Sequence, residues 1–264
     1  MSSFLERAAV SARINIASWK ERLPDPDSMD RSEPPMFLGD DTARCGVIAE
    51  VKKRSPSRGD LIGDNDPLDL PALYADAGAE AVSVVVEEQY FGGTPELFRQ
   101  VSEKTDLPLL WKDFVVDPYQ IYVAAGLGAS AVLLIAGMLS DSEMIALIGI
   151  ARGKGLSCLV EVHNRVELDR ALDSGADLVG VNNRDLVTLE VDISVSEKLA
   201  SRIPDSVASV SESGIRTPED VARMAACGYR AVLIGESLVT AEDTEKLLRE
   251  MVKAGKNRGS VERE

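Results

Sequence analysis

Eight short apolar runs recur through residues 46–234, and this repetition constrains the fold more than any other feature of the chain. The runs are rich in Val, Ile, Leu and Ala and span 46–51, 81–86, 107–111, 131–135, 157–162, 178–181, 207–211 and 231–234. Continuous runs of this kind are typical of parallel strands that are buried on both faces. Segments of helical character, roughly 8–15 residues long, separate them, as βα units require. The pattern therefore predicts an α/β fold built from eight βα units.

Four of the junctions that lead into these runs are alike. They read Ala-Gly-Ala-Glu-Ala-Val (77–82), Leu-Gly-Ala-Ser-Ala-Val (127–132), Ser-Gly-Ala-Asp-Leu-Val (174–179) and Cys-Gly-Tyr-Arg-Ala-Val (227–232). A glycine at the second position suits the end of a helix before the next strand. Eight such units favour a (βα)8 TIM barrel. A doubly wound open sheet is the alternative, although no Gly-x-Gly-x-x-Gly motif follows the first run.

Residues 1–44 precede the first run and predict an extra N-terminal helical segment. Apolar residues recur at helical spacing over 3–23, and Ser3 with Glu6 fits a capping box. Residues 24–44 are acidic and contain four prolines, so we expect a connecting loop. The expected division is a lid-like helix and loop over 1–44, the barrel over 45–256 and a polar tail over 257–264.

Composition limits the partners. The formal net charge is −15, which argues against nucleic acid or an anionic membrane surface as a partner. The three cysteines are dispersed, as in a reduced cytoplasmic protein, and we find no signal peptide and no apolar run long enough to span a membrane. A monomer is compatible with the sequence, which does not determine the assembly. The single histidine, His163, excludes a two-histidine metal site, so we expect Lys, Glu and Asp to act as acids and bases.

Polar side chains directly follow most of the runs, where the active sites of such barrels lie. Lys112, Glu161 and Glu212 each continue an apolar run, whereas the starts of the strands carry no matching set. The first run leads into Lys-Lys-Arg-Ser-Pro-Ser-Arg-Gly (52–59), which supplies local cations for an anionic substrate. Ser213-Gly214 and Gly235-Glu236-Ser237 follow the last two runs, where barrels often hold a phosphate group. We therefore expect a phosphorylated small molecule as the substrate.

Six segments, in order along residues 46–240, resemble indole-3-glycerol phosphate synthase. They are Ile-Ala-Glu-Val-Lys-Lys-Arg-Ser-Pro-Ser-Arg-Gly (48–59), Trp-Lys-Asp-Phe-Val-Val-Asp-Pro-Tyr-Gln-Ile (111–121), Leu-Val-Glu-Val-His (159–163), Gly-Val-Asn-Asn-Arg-Asp-Leu (180–186), Ser-Glu-Ser-Gly-Ile (211–215) and Leu-Ile-Gly-Glu-Ser-Leu (233–238). The resemblance implies a cofactor-independent enzyme of tryptophan biosynthesis. It would convert 1-(2-carboxyphenylamino)-1-deoxyribulose 5-phosphate to indole-3-glycerol phosphate, CO₂ and water.

The resemblance also implies roles for the matched residues. Lys112 would protonate the ribulose carbonyl oxygen during ring closure, and Glu161 would transfer a proton during dehydration. The other implied catalytic residues are Glu50, Lys52, Asn182, Glu212 and Ser213. The implied phosphate ligands are Arg184, Gly214, Gly235 and Glu236, and the implied lining of the aromatic pocket is Phe91, Phe114, Leu133 and Leu186. Further implied substrate contacts are Ser55, Leu233 and Ser237.

One residue departs from the resemblance, and two other functions stay open at this point. Trp111 stands where an arginine is implied; its side chain should point away from that of Lys112, with loss of a helix-facing ion pair. A non-catalytic phosphosugar-binding barrel is one alternative, although every implied proton-transfer residue is present. Another phosphosugar enzyme, such as phosphoribosylanthranilate isomerase, is the second, although it would not need this set of lysines and glutamates.

Overall fold

The computed structural model of the chain describes residues 4–25, 34–39, 41, 43–56, 58–63 and 66–256. In chain order the strands are β1 (Gly46–Val51), β2 (Arg54–Ser55), β3 (Gly59–Asp60), β4 (Ala81–Val85), β5 (Leu109–Lys112), β6 (Ala131–Ile135), β7 (Ser157–Val162), β8 (Leu178–Asn182), β9 (Ala208–Glu212) and β10 (Ala231–Ile234). Eight of them form a closed parallel barrel in the order β1-β10-β9-β8-β7-β6-β5-β4. The open-sheet alternative is wrong, because β1 pairs with both β4 and β10.

Helices alternate with the barrel strands, as the repeating pattern predicts. They are α1 (Phe4–Arg22), α2 (Leu70–Asp76), α3 (Glu88–Phe91), α4 (Pro95–Ser102), α5 (Pro118–Gly126), α6 (Asp141–Gly153), α7 (Arg165–Asp173), α8 (Ser194–Ala200), α9 (Pro218–Ala226), α10 (Glu236–Val239) and α11 (Thr244–Ala254). Helix α1 precedes the first strand, and α10 and α11 follow the last. The junction glycines Gly78, Gly128, Gly175 and Gly228 all have positive φ, which ends each helix at little steric cost. No described helix combines the length and apolar character needed to cross a membrane.

All eight predicted barrel strands are present, and their predicted ends agree within two residues. The prediction missed the short antiparallel hairpin formed by β2 and β3, which pairs Arg54 with Asp60 and Ser55 with Gly59. The Pro- and Gly-containing sequence there indicates only a turn, and two-residue strands are too short to give an alternating pattern. The hairpin follows β1 directly and lies beside the C-terminal end of the barrel.

Side chains that alternate along the strands build two separate apolar layers. Leu110, Leu159 and Val210 belong to the cluster inside the barrel, whereas Trp111 and Val160 belong to the layer between strands and helices. Because the period of a strand is two, the residue two positions after an interior residue also faces the interior. This alternation sends the side chains at the C-terminal strand ends into the mouth of the barrel.

A buried ion pair lies at the opposite, N-terminal end of the barrel. Arg230 NH1 donates to Glu80 Oε2 at 2.9 Å, and Arg230 NH2 also pairs with Glu80 Oε1 and donates to Gly39 O at 2.6 Å. The two residues occupy equivalent positions in two of the similar junctions, before the two strands that flank β1. The sequence analysis did not single out this pair, whose partners are 150 residues apart in the chain.

The N-terminal segment packs on the barrel more closely than a simple lid would. Helix α1 begins at Phe4 and buries Ala8, Ala12 and Trp19, and Phe37 of the following loop is also buried. Phe37 joins the interior cluster, so the expected connecting loop also contributes a side chain to the core. Ser3, the expected cap of α1, lies outside the described residues, as do 26–33 and the tail at 257–264.

Trp111 points away from the barrel interior, as the alternation of the strand predicts. It is fully buried, with its ring 5.0 Å from that of Phe98 and 5.9 Å from that of Trp19. The indole of Trp19 in turn donates to Glu88 Oε1 at 2.7 Å. An aromatic contact with α1 and α4 therefore occupies the place where an ion pair was implied.

Candidate active site

Five polar side chains meet inside the C-terminal end of the barrel. Each continues a row of interior residues on its strand, as Lys112 follows Leu110 and Glu161 follows Leu159. The five are Glu50, Lys112, Glu161, Asn182 and Glu212, from strands β1, β5, β7, β8 and β9. Alternation makes this convergence unavoidable once the barrel closes.

Lys112 lies among three carboxyl groups. Its Nζ is 3.5 Å from Glu212 Oε2, 3.9 Å from Glu50 Oε2 and 3.9 Å from Glu161 Oε2. Only 19% of the lysine side chain is exposed, and each glutamate side chain is less than 5% exposed. Burial lowers the pKa of Lys112, but the charges of Glu212, Glu50 and Glu161 outweigh it and raise that pKa above its ordinary value. Lys112 therefore carries its proton at neutral pH.

Glu50 joins the two lysines of the site. Its Oε1 accepts from Lys52 Nζ at 2.7 Å, while its Oε2 faces Lys112. Burial raises the pKa of Glu50, but the ammonium groups of Lys52 and Lys112 outweigh it and hold that pKa below its ordinary value. The ionised carboxylate fixes both ammonium groups on one side of the cavity.

Glu161 and Glu212 both approach Lys112, but they lie in different environments. Burial raises the pKa of Glu161, but contact with His163 and the charge of Lys112 outweigh it, so Glu161 is ionised. Burial also raises the pKa of Glu212, and there only Lys112 opposes the repulsion from Glu161 and Glu50. Neither carboxyl oxygen of Glu212 has a hydrogen-bond partner among the described residues. Glu161 therefore joins Glu50 as an ionised carboxylate of the site, whereas Glu212 favours its neutral form.

The loops that follow β9 and β10 form another side of the cavity, and their backbone geometry gives that side its shape. Ser213 and Gly214 both have positive φ, at 65° and 84°, so their two peptide groups turn sharply into the cavity mouth. Asn183 Nδ2 holds this turn by donating to Ser213 O at 3.0 Å. A Cβ on Gly235 would lie 2.5 Å from Glu50 Oε1, so glycine is needed where β10 ends. Consecutive turns of this kind direct backbone N–H groups toward an anion.

Two arginines border that turn. Arg184 donates its backbone N–H to Asn182 Oδ1 at 3.0 Å and uses NH1 to bind Leu189 O at 3.1 Å. Arg58 pairs with Glu236 at 2.9 Å. Both arginines line the cavity, so this end carries positive charge in an acidic protein.

Aromatic side chains line the other end. The rings of Phe91 and Phe114 lie 6.3 Å apart, and Phe4 of α1 packs edge-on against Phe114 at 5.9 Å. Leu133 and Leu233 add buried aliphatic surface. In the barrel order, β5, which precedes Phe114, is opposite β9, which precedes Ser213. The aromatic and cationic ends therefore lie on opposite sides of the cavity.

The cavity brings together nearly all of the residues that the sequence predicts for the site. It has a volume of about 380 Å³. The predicted residues that line it are Glu50, Lys52, Phe91, Lys112, Phe114, Leu133, Glu161, Asn182, Arg184, Leu186, Glu212, Ser213, Gly214, Leu233, Gly235, Glu236 and Ser237. Ser55 lies instead in the β2–β3 hairpin, where its Oγ accepts from Arg58 N at 3.2 Å, and is not among the described lining residues.

Several residues that shape the site were not among the predicted site residues. Phe4 lines the cavity from α1, and Glu87, Asp113 and Arg216 line it as well. Arg58 lines it from the hairpin and belongs to segment 52–59, which was expected to supply cations. His163 lies 3.3 Å from Glu161, and its place immediately after Glu161-Val162 was the available signal. Among the described residues, no group of three or more His, Cys, Asp or Glu side chains is arranged to hold a metal ion.

Comparisons with known proteins agree with this geometry. A family model of indole-3-glycerol phosphate synthase matches residues 8–251. The chain is 49% identical to the indole-3-glycerol phosphate synthase of Carboxydothermus hydrogenoformans over 78% of each chain. It is 42% identical to that of Acetivibrio thermocellus over 90% of this chain and 92% of the other. A thiamine phosphate pyrophosphorylase structure from Pyrococcus furiosus matches with a TM-score of 0.61 at 16% identity, over 81% of this chain and 96% of that chain, and shows the fold alone.

Proposed function

The chain belongs to the indole-3-glycerol phosphate synthase family, and from this premise we propose how its cavity carries out the synthesis. The enzyme is a decarboxylating carbon–carbon lyase of tryptophan biosynthesis. The anthranilate ring carbon that bears the carboxylate attacks the ribulose carbonyl carbon. Loss of CO₂ and then of water leaves indole-3-glycerol phosphate.

The two ends of the cavity define how the substrate lies. Its phosphate occupies the turn at Ser213-Gly214 and the start of α10, beside Arg184, because backbone N–H groups and a guanidinium suit an anion. Its anthranilate ring packs between Phe91 and Phe114, where apolar surface is available. Because these ends are opposite each other in the barrel, the reacting carbons then lie near Lys112.

Lys112 is the proposed acid for ring closure. As the new bond forms, the carbonyl oxygen gains charge, and a protonated lysine both donates a proton and offsets that charge. The observation that carries this role is the position of its Nζ within 4 Å of three carboxyl groups, of which the ionised Glu50 and Glu161 keep it protonated at neutral pH. Lys52, paired with Glu50, faces the same cavity and neutralises the substrate carboxylate before it leaves as CO₂.

Glu161 and Glu212 divide the proton transfers of dehydration. Loss of water needs one group that accepts a proton and one that protonates the departing hydroxyl. Two carboxyl groups whose environments push their pKa values apart are suited to such a division. Glu161, which is ionised, is the proposed acceptor, and Glu212, which favours its neutral form, is the proposed donor.

Single-turnover kinetics with mass detection tests these assignments. We expect Lys112→Ala to lower the rate of ring closure by about 10²–10⁴-fold, and Glu161→Gln to slow dehydration so that an earlier species accumulates. Lys198→Ala is the control. The side chain of Lys198 is 70% exposed on α8, so its removal should leave turnover unchanged. Near-normal turnover in a folded Lys112→Ala variant would show that the proposed acid is wrong and would favour a non-catalytic binding role.

A further inference from the structure

His163, the first residue after β7, lies at the edge of the site between two carboxylates. Its side chain is only 14% exposed. Its Nε2 is 3.3 Å from Glu161 Oε1, and its Nδ1 is 3.0 Å from Glu167 Oε2. Nδ1 is hydrogen-bonded to Glu167, whereas Nε2 makes an ion-pair contact with Glu161 that lacks hydrogen-bond geometry. An imidazole that carries both protons is attracted to both carboxylates.

Glu167 is itself fixed in place by the start of α7. Its Oε2 also accepts the backbone N–H of His163 at 2.8 Å, and its Oε1 accepts from Asn164 Nδ2 at 2.8 Å. Its backbone N–H donates to Asn164 Oδ1 at 3.0 Å, which caps the helix. Because both carboxylate oxygens are engaged, Glu167 holds the imidazole ring in one orientation.

The two oxygens of Glu161 have different neighbours as a result. Oε1 faces His163, while Oε2 lies 3.9 Å from Lys112 on the cavity side. A carboxylate on a free glutamate side chain rotates easily about its terminal bond. Here the charge contact with His163 at Oε1 favours the rotation that leaves Oε2 toward Lys112 and the cavity.

The charges around His163 agree with this arrangement. Burial lowers the pKa of His163, but Glu161 and Glu167 outweigh it and raise that pKa to about 10. Asp185, in the loop after β8, is a third carboxylate within electrostatic reach. Glu161 also faces Lys112, Glu212 and Glu50, so His163 belongs to a network of positively and negatively charged side chains.

We propose that His163 is a positioning residue for the reaction, which holds the Glu161 carboxylate in its working orientation while Glu167 fixes the imidazole ring. This inference rests on the proposed role of Glu161 in dehydration. A displacement of a reacting group by about 1 Å costs on the order of 10²-fold in rate. The 3.3 Å contact constrains the Glu161 carboxylate beside its interaction with Asn182, so loss of the contact gives the carboxylate more freedom to turn.

The test compares the variants His163→Gln and Glu167→Gln with Glu161→Gln. For each variant, kcat, KM, Tm and the intermediates that accumulate in a single turnover are measured. We expect His163→Gln to lower kcat by about 10–100-fold, with KM unchanged within a factor of about two. The species that accumulates should be the one that Glu161→Gln accumulates. Glu167→Gln should act in the same direction but less strongly, because the imidazole keeps its contact with Glu161.

The pH dependence of kcat separates positioning from mere packing. The imidazolium favours the ionised form of Glu161, so removing it raises the pKa of Glu161. The acid limb of the kcat profile should therefore move to higher pH in His163→Gln, and part of the lost rate should return as pH rises. Glu143→Gln is the matched control, because Glu143 is the third residue of α6, as Glu167 is of α7, and its Oε2 accepts from Ser140 N at 2.8 Å. The kcat–pH profile of this variant should equal that of the unchanged protein.

Each outcome decides the inference. Normal kcat and an unchanged acid limb in His163→Gln, together with an impaired Glu161→Gln, would overturn it. A loss of kcat with no movement of the acid limb and no accumulating species would overturn it in favour of a packing role. Normal turnover in Glu161→Gln would refute the role of Glu161 itself. If His163→Gln does not fold, Glu167→Gln carries the same two readouts, and its agreement with Glu143→Gln would overturn the proposal.

Discussion

Gly180 leaves room for the Glu212 carboxyl group, and Gly180→Ala tests whether the position of that group sets turnover. Gly180 faces the barrel interior on β8. A Cβ built there would lie 2.1 Å from Glu212 Oε1 and 3.2 Å from Leu159 Cδ1. Ordinary contact begins at 3.4 Å, so Glu212 must move by about 1.3 Å, a displacement for which the expected loss of rate is on the order of 10²-fold.

The movement also disturbs Lys112, whose Nζ is 3.5 Å from Glu212 Oε2. We therefore expect kcat to fall by about 10²-fold with a smaller change in KM, because the substrate-binding ends of the cavity are untouched. Overpacking costs about 1–3 kcal/mol of unfolding free energy, or roughly 2–12 °C in Tm for a chain of this size. The assay is the formation of indole-3-glycerol phosphate followed in the ultraviolet, with Tm from thermal unfolding.

Gly149→Ala is the matched control. Gly149 lies within α6, and a Cβ there would meet no heavy atom within 4 Å. We expect unchanged kcat and a free energy of unfolding raised by up to about 1 kcal/mol, since alanine favours a helix. Normal kcat in a folded Gly180→Ala variant would refute the reasoning, because it would show that turnover does not depend on where Glu212 lies.

Two further predictions concern substrate binding and the N-terminal segment. Arg184→Ala should raise KM more than it lowers kcat, because phosphate is remote from the reacting carbons, and steady-state kinetics with an unchanged KM would contradict this. Deleting residues 1–44 should leave a barrel that still unfolds cooperatively. Its Tm should be lower, because Trp19 and Phe37 pack on the barrel, and its activity should be low, because Phe4 lines the cavity. Loss of the cooperative thermal transition would contradict this and would show that the barrel does not fold without the segment.

The order of the apolar runs in the sequence was enough to predict the barrel and the end of the barrel at which the site lies. Strand alternation makes the interior face of each strand readable from sequence, so Lys112, Glu161 and Glu212 could be assigned to the cavity before their distances were known. The glycine at each similar junction was equally readable, since few other residues adopt positive φ at low cost. The same reasoning missed Phe4, Phe37 and the β2–β3 hairpin, which no periodic pattern marks.

Closure of the barrel sets the distances between the polar side chains, and these distances determine the protonation state of each one. Glu161 and Glu212 are the same residue type at equivalent strand ends, yet one is held ionised and the other favours its neutral form. The difference comes from their neighbours: Glu161 meets both His163 and Lys112, whereas Glu212 has Lys112 alone to offset its burial. Local sequence fixes the direction of a side chain, but the pKa of a buried group depends on distances between strands that only closure of the barrel sets.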